Sequence, residues 1–307
     1  MRRSCAVALA CVLMLLAGCV AASPPPQATG TALMPGATPG ATTIAVGDRS
    51  VLLYDPASRP SDPTGGAALV VALHGYTGDA AGVVEFFGLR RTADQHGFVI
   101  AAPQGTSDSE GRTFWNASRA CCDFGGSAVD DSDHLLRVID TVVATHGIDP
   151  ARVYVVGHSN GGFMAHRLAC EHAGRVAAIA SVAGAFDTDA TCRPAEPVSV
   201  LQIHGKADDT ILYDGGAIEG RPYTSVAETV ALWRGANDCR SDARPGARLD
   251  ADSTLAGDDL TATTWTNCRG NSEVAVWSIA EGSHNPALTP AFTAALFDWF
   301  EAHRRTE

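Results

Sequence analysis

The pentapeptide Gly157-His158-Ser159-Asn160-Gly161 sets a serine hydroxyl between two glycines, directly after the apolar run Val153 to Val156. G-x-S-x-G where a strand gives way to a helix is the pattern of a nucleophile elbow. Such a turn crowds its own neighbours, so Gly157 and Gly161 read as positions where a Cβ has no room. A serine hydroxyl attacks a carbonyl carbon only if a histidine takes its proton and a carboxylate orients that histidine. Further along the chain, the strand-like run Val198 to Gly205 is followed by Lys206-Ala207-Asp208-Asp209. The run Val274 to Ala280 is likewise followed by Glu281-Gly282-Ser283-His284. Asp208 and His284 are therefore the expected carboxylate and base, each just beyond a strand, in the order serine, acid, histidine. The oxyanion of such a reaction would meet the backbone N–H of Asn160, next after the serine, and that of Tyr76 in the loop Leu73 to Asp79.

Three other histidines, His74, His158 and His204, also stand beside a glycine at a strand end. There the ring can hydrogen-bond loop backbone below the site, and that reading is preferred to zinc ligation. HExxH and CxxC pairs with zinc-finger spacing are both absent, so no metal and no cofactor is expected. Trp115, in Gly111 to Ser118, fits two descriptions equally: a wall of the substrate pocket, or ordinary core. Asp130 and Asp131 read as a helix N-terminus and a loop anchor rather than as catalytic groups.

These groups need a scaffold that delivers four loops to one place. Short apolar runs begin at Ala68, Phe98, Arg152, Ala177 and Val198, each followed by turn residues and a longer polar stretch. Strands alternating with helical spacers predict a parallel sheet. Helices are expected at about 131–146, 161–172, 225–235 and 290–303, and a single catalytic α/β domain over 44–307. With 307 residues, 46% of them hydrophobic and 18% charged, the chain can bury such a core. Its formal charge of −12 argues against nucleic acid as a partner.

The first eighteen residues, with Arg2, Arg3 and the apolar run Ala6 to Leu16, read as an export signal. Leu16-Ala17-Gly18-Cys19 closes it and resembles a bacterial lipobox, which implies lipidation of Cys19 and anchorage on the outer face of the cell membrane, or secretion. Residues 19–43, rich in Pro, Gly, Ala and Thr, read as a flexible tether. Of nine cysteines, Cys5, Cys11 and Cys19 fall in the signal segment, which leaves an even six for disulfides. Cys239 and Cys268 both lie late in the chain and flank one insertion, so they are the expected pair. Three connectivities remain for Cys121, Cys122, Cys170 and Cys192, with the adjacent two expected to bond outward.

From Ser50 onward the chain resembles the secreted esterases that include polyhydroxybutyrate depolymerase-like proteins and feruloyl esterases, in their actinobacterial lipoprotein branch. The resemblance rests on LHGYTGD, on WNA with CC, and on VDDSDHL, VYVVGHSNGGFMAHRLAC, VLQIHGKADDTILYDGG and GSHNP. It implies an α/β-hydrolase fold, with a mostly parallel central sheet and helices on both faces. It also implies a serine carboxylic-ester hydrolase working through an acyl-enzyme. By position it implies Ser159, Asp208 and His284 as triad and Tyr76 and Asn160 as oxyanion donors; the acid four residues after the histidine of HGxxD selects Asp208 over Asp209. Asn285 and Pro286 follow the last histidine where the family often has an aromatic residue and a proline. The expected partners are a small or oligomeric ester and, through Cys19, a membrane, with no obligate protein partner. A serine peptidase of related fold and a catalytically inactive binding lipoprotein are the alternatives.

Overall fold

The run Leu69-Val70-Val71-Ala72-Leu73 is apolar at every position, so both of its faces need cover. In the computed structural model, which describes residues 40–56, 59, 66–189, 191–240 and 242–305, that run lies in a ten-stranded sheet. The strands in chain order are β1 (Ala41–Val46), β2 (Arg49–Tyr54), β3 (Ala67–Leu73), β4 (Val99–Pro103) and β5 (Ile148–His158). They continue as β6 (Ala178–Val182), β7 (Ser199–Gly205), β8 (Arg244–Leu249), β9 (Leu260–Trp265) and β10 (Val274–Ile279). Across the sheet they run β1-β2-β4-β3-β5-β6-β7-β10-β9-β8. The central strands from β4 to β10 are parallel, and antiparallel strands flank them at both edges. This is the α/β-hydrolase arrangement.

Among the described residues six helices cover the faces: α1 (Ala80–Phe86), α2 (Leu89–His96), α3 (Asp131–Thr145), α4 (Asn160–Glu171), α5 (Val226–Ala236) and α6 (Pro290–Ala302). Successive side chains of a strand point to opposite faces, and β3 divides accordingly. Leu69, Val71 and Leu73 pack in one core with Leu135 of α3, Phe163 of α4 and Trp233 of α5. Ala68, Val70 and Ala72 pack in the other with Val83 of α1, Leu89 of α2 and Phe297 of α6. The parallel order therefore sends the loops after β3, β5, β7 and β10 to the same edge.

The helices expected at 131–146, 161–172, 225–235 and 290–303 are α3 to α6. The sequence reading had no counterpart for α1, α2 or the antiparallel edges. α1 has only seven residues, and in α2 only Leu89, Thr92 and Ala93 are buried. β8 is exposed from Arg244 to Arg248, so no alternation marks it. Ala41 to Thr43, placed in the tether by composition, are the first three residues of β1 and pair with Tyr54, Leu53 and Leu52. The expected signal segment, Cys19 and the tether up to residue 39 lie outside the described residues. Among the described residues no helix is long and apolar enough to cross a membrane.

Among the described residues three disulfides are present, which fits an exported chain. Cys239 is joined to Cys268, across the base of the β8–β9 hairpin. The expectation that Cys121 and Cys122 bond outward is corrected: they bond to each other. Their candidate partners are already taken, since the fold brings Cys170 at the end of α4 and Cys192 to a Cα separation of 5.5 Å and joins them.

Candidate active site

Ser159 sits between the end of β5 and the start of α4 at φ +54° and ψ −119°, a strained conformation for a residue with a side chain. A Cβ on Gly157 would collide with the carbonyl of Gly161, and one on Gly161 with the carbonyl of Leu73 in β3. The two glycines thus let α4 start directly against β3. The Ser159 amide donates to Val182 O at 2.8 Å, tying the elbow to β6.

His284 follows β10 and reaches the serine: its Nε2 accepts from the Ser159 hydroxyl at 2.9 Å. Its Nδ1–H donates to Asp208 Oδ2 at 2.8 Å. The loops carrying these two residues are pinned to each other, because Lys206 N donates to Ile279 O at 2.9 Å and Ala207 N to Gly282 O at 3.0 Å. The other oxygen of Asp208 accepts from the amides of Thr210 at 2.9 Å and Ile211 at 2.8 Å. Burial works against the Asp208 charge, yet hydrogen bonds from His204 and His284 outweigh it and hold the acid well below the usual carboxylate range. Asp209 is exposed and meets only the Thr210 hydroxyl, at 3.3 Å. Geometry thus separates two adjacent acids by burial and partners.

The remaining strand-end histidines bind backbone. His158 donates to His284 O at 2.8 Å, and burial pushes its pKa down to about 4, so it stays a neutral prop under the base. His204 donates to Ile211 O at 2.7 Å beside Asp208. His74 donates to Gly75 O at 2.7 Å and accepts from Gly105 N at 3.0 Å, and burial lowers its pKa. Asp130 caps α3 by accepting from Asp133 N at 3.1 Å. Asp131 is fully buried and accepts from Asn116 N at 2.6 Å, with Arg49 against its other oxygen. The only cluster among the described residues with metal-ligand chemistry, His96, Asp298 and Glu301, stands on α2 and α6, which contribute nothing to the cleft.

Ser159 and His284 open into a cleft of about 540 Å³ bordered by Tyr76 and Thr77. Val83 and Phe86 of α1 line it with apolar surface, and Thr210 and Asn285 with polar surface. Sequence reading missed Val83 and Phe86, because α1 is too short for its periodicity to register. Tyr76 follows β3 as expected, next to Thr77, which is held at φ +63° by a bond from its amide to Thr113 O at 2.7 Å. Trp115 is not a wall of the cleft. Its side chain is fully buried and its indole N–H donates to His74 O at 3.0 Å, so it lies beneath the loop that carries Tyr76. A larger groove of about 930 Å³, between α5 and Cys192 to Pro194, holds no member of the serine, histidine and aspartate set.

The chain matches the family described as "Esterase PHB depolymerase" over residues 51–242, a span that contains Ser159 and Asp208. It is 33% identical over 222 residues to NocK of Nocardia uniformis subsp. tsuyamanensis, a protein named as an esterase, covering 67% of this chain and 63% of NocK. Feruloyl esterase B of Piromyces equi is 25% identical over 250 residues, which cover 77% of this chain and 42% of that protein. Poly(3-hydroxybutyrate) depolymerase of Ralstonia pickettii is 34% identical over 141 residues, 42% of this chain and 28% of that one. The chain thus spans less than two thirds of the length of each of these relatives. Among solved structures, an acetyl xylan esterase from Aspergillus awamori superposes with a TM-score of 0.59 at 17% identity, over 85% of this chain and 98% of that one. A thermostable esterase superposes with a TM-score of 0.55 at 14% identity, over 86% and 63%. At these identities the likeness is one of fold.

Proposed function

The chain belongs to the Esterase PHB depolymerase family, and from that premise we propose that it is a serine carboxylic-ester hydrolase acting through an acyl-enzyme. The observation that carries this reading is the continuous hydrogen-bonded run from Ser159 Oγ through His284 to Asp208. Ser159 Oγ attacks the ester carbonyl carbon while its proton passes to His284 Nε2. Asp208 keeps the Nδ1–H tautomer in place and stabilises the imidazolium that forms. The oxyanion is received by the amides of Asn160 and Tyr76. Collapse breaks the carbon–oxygen bond, and the alcohol leaves with the proton from His284. Water, deprotonated by the same nitrogen, then releases the acid and restores the serine.

For the acyl and alcohol parts, the relatives' names suggest feruloyl esters and hydroxybutyrate oligomers, and the apolar lining from Val83 and Phe86 suits the acyl or ring portion of either. Hydrolysis of aryl esters of increasing acyl length, feruloyl esters and hydroxybutyrate oligomers by wild type and Ser159→Ala tests the proposal. At least one ester series should be turned over, with a loss of about 10⁴-fold or more in the variant. Cleavage of peptide amides with no ester turned over would replace the esterase by a peptidase, and no turnover of any substrate by the folded protein would favour the binding lipoprotein.

The three disulfides and the LAGC sequence support an exported protein anchored through a lipid on Cys19. Wild type should then partition into the detergent phase on extraction and Cys19→Ala into the aqueous phase. An aqueous wild type would contradict the anchor.

A further inference from the structure

The two oxyanion amides belong to different segments, the loop after β3 for Tyr76 and the first turn of α4 for Asn160. Both must face one oxygen for their hydrogen bonds to strengthen as charge develops. The short segment Thr113 to Trp115 is bonded to residues flanking Tyr76 and to the side chain of Asn160. Toward the Tyr76 loop, Thr113 O accepts from Thr77 N at 2.7 Å, the Thr113 hydroxyl donates to Gly78 O, and the Trp115 indole donates to His74 O at 3.0 Å. Tyr76 is thus bracketed on both sides. Toward α4, Trp115 N donates to Asn160 Oδ1 at 2.7 Å and Trp115 O accepts from Asn160 Nδ2 at 2.9 Å.

The Asn160 carboxamide is used up in this pairing. It is fully buried, and Nδ2 also lies 3.4 Å from Cys121 Sγ. A buried two-bond amide pair fixes the relative orientation of the segments it joins, because breaking it strands polar groups away from water. Cys121 O in turn accepts from Ala117 N at 3.2 Å and Ser118 N at 2.7 Å, which closes the turn behind Trp115.

We infer that Trp115 and the side chain of Asn160 are positioning residues that set the spacing of the two oxyanion donors. This rests on the esterase reading and extends it from the backbone amides to the buried groups that aim them. Neither side chain lines the cleft on which the substrate would sit. Their effect therefore falls on the transition state, where the oxyanion exists, and not on ground-state binding.

The test compares wild type, Asn160→Ala, Trp115→Phe and the double variant, with folding checked by circular dichroism and thermal melting. Trp115→Phe keeps an aromatic ring in place and removes the indole N–H, so it decides the matter if Asn160→Ala fails to fold. Each single variant is expected to lose about 10- to 100-fold in kcat, less than outright deletion of an oxyanion donor, with KM within about threefold. Affinity for a boronate transition-state analogue should fall by the same factor as kcat. The fold-loss in the double variant should be smaller than the product of the two single fold-losses, because both act through one strap. Unchanged kcat in folded variants, or a rise in KM with kcat intact, would overturn the positioning role while leaving the esterase in place. A wild type that hydrolyses no ester would remove the reading on which it rests.

Discussion

The site has two halves built on opposite principles. In the proposed proton-transfer half, Asp208 and His284 would act through their own side chains, which are hydrogen-bonded to each other, and each stands at the mouth of a strand. In the proposed oxyanion half, the acting groups would be the amides of Tyr76 and Asn160, which any residue could supply. Their placement depends on buried neighbours: the glycines of the elbow, and Trp115 with the Asn160 carboxamide. In the first half the identity of a residue is its function. In the second, identity governs only where the backbone lies.

The largest effects should come from the proton-transfer half. An orienting carboxylate turned into an amide favours the wrong imidazole tautomer, so Asp208→Asn should cost about a thousandfold or more in kcat. Asp209→Asn should cost less than about tenfold, since its carboxylate is exposed and meets only Thr210. Steady-state kinetics on folded variants checks this. The reverse ranking would move the acid by one residue.

That contrast explains what could be read in advance. That Ser159, Asp208 and His284 meet was legible because each chemical group stands in order behind an apolar run, and parallel strands must bring their C-terminal ends together. The central sheet and α3 to α6 were legible for the same reason of patterning. Trp115 was not, because a large aromatic side chain near a site reads equally as wall or core, and only its fully buried state and its bond to His74 O decide. The Cys121 to Cys122 bridge was hidden because it follows from where Cys170 and Cys192 meet in space. Val83 and Phe86 escaped because one short helix carries no readable period.

A smaller effect sharpens the comparison from outside both halves. The Cys239 to Cys268 bridge closes a segment of the chain at the β8–β9 hairpin and contributes no group to the cleft. Replacing both cysteines by serine should lower stability by about 3.6 kcal/mol, by the loop-closure entropy of a bridge of this span. Turnover at permissive temperature should change less than about twofold, because the catalytic strand ends lie elsewhere in the sheet. Chemical denaturation and a parallel activity assay would show it. A large loss of kcat with unchanged stability would mean that the hairpin feeds into the site.

The central claim is that the strained Ser159 hydroxyl is activated by His284 and Asp208, and covalent capture tests it most directly. A fluorophosphonate added to the folded protein and read by intact mass should give one adduct, located by peptide mapping on Ser159, and none on Ser159→Ala. Equal labelling of both proteins, or of neither, would contradict the account.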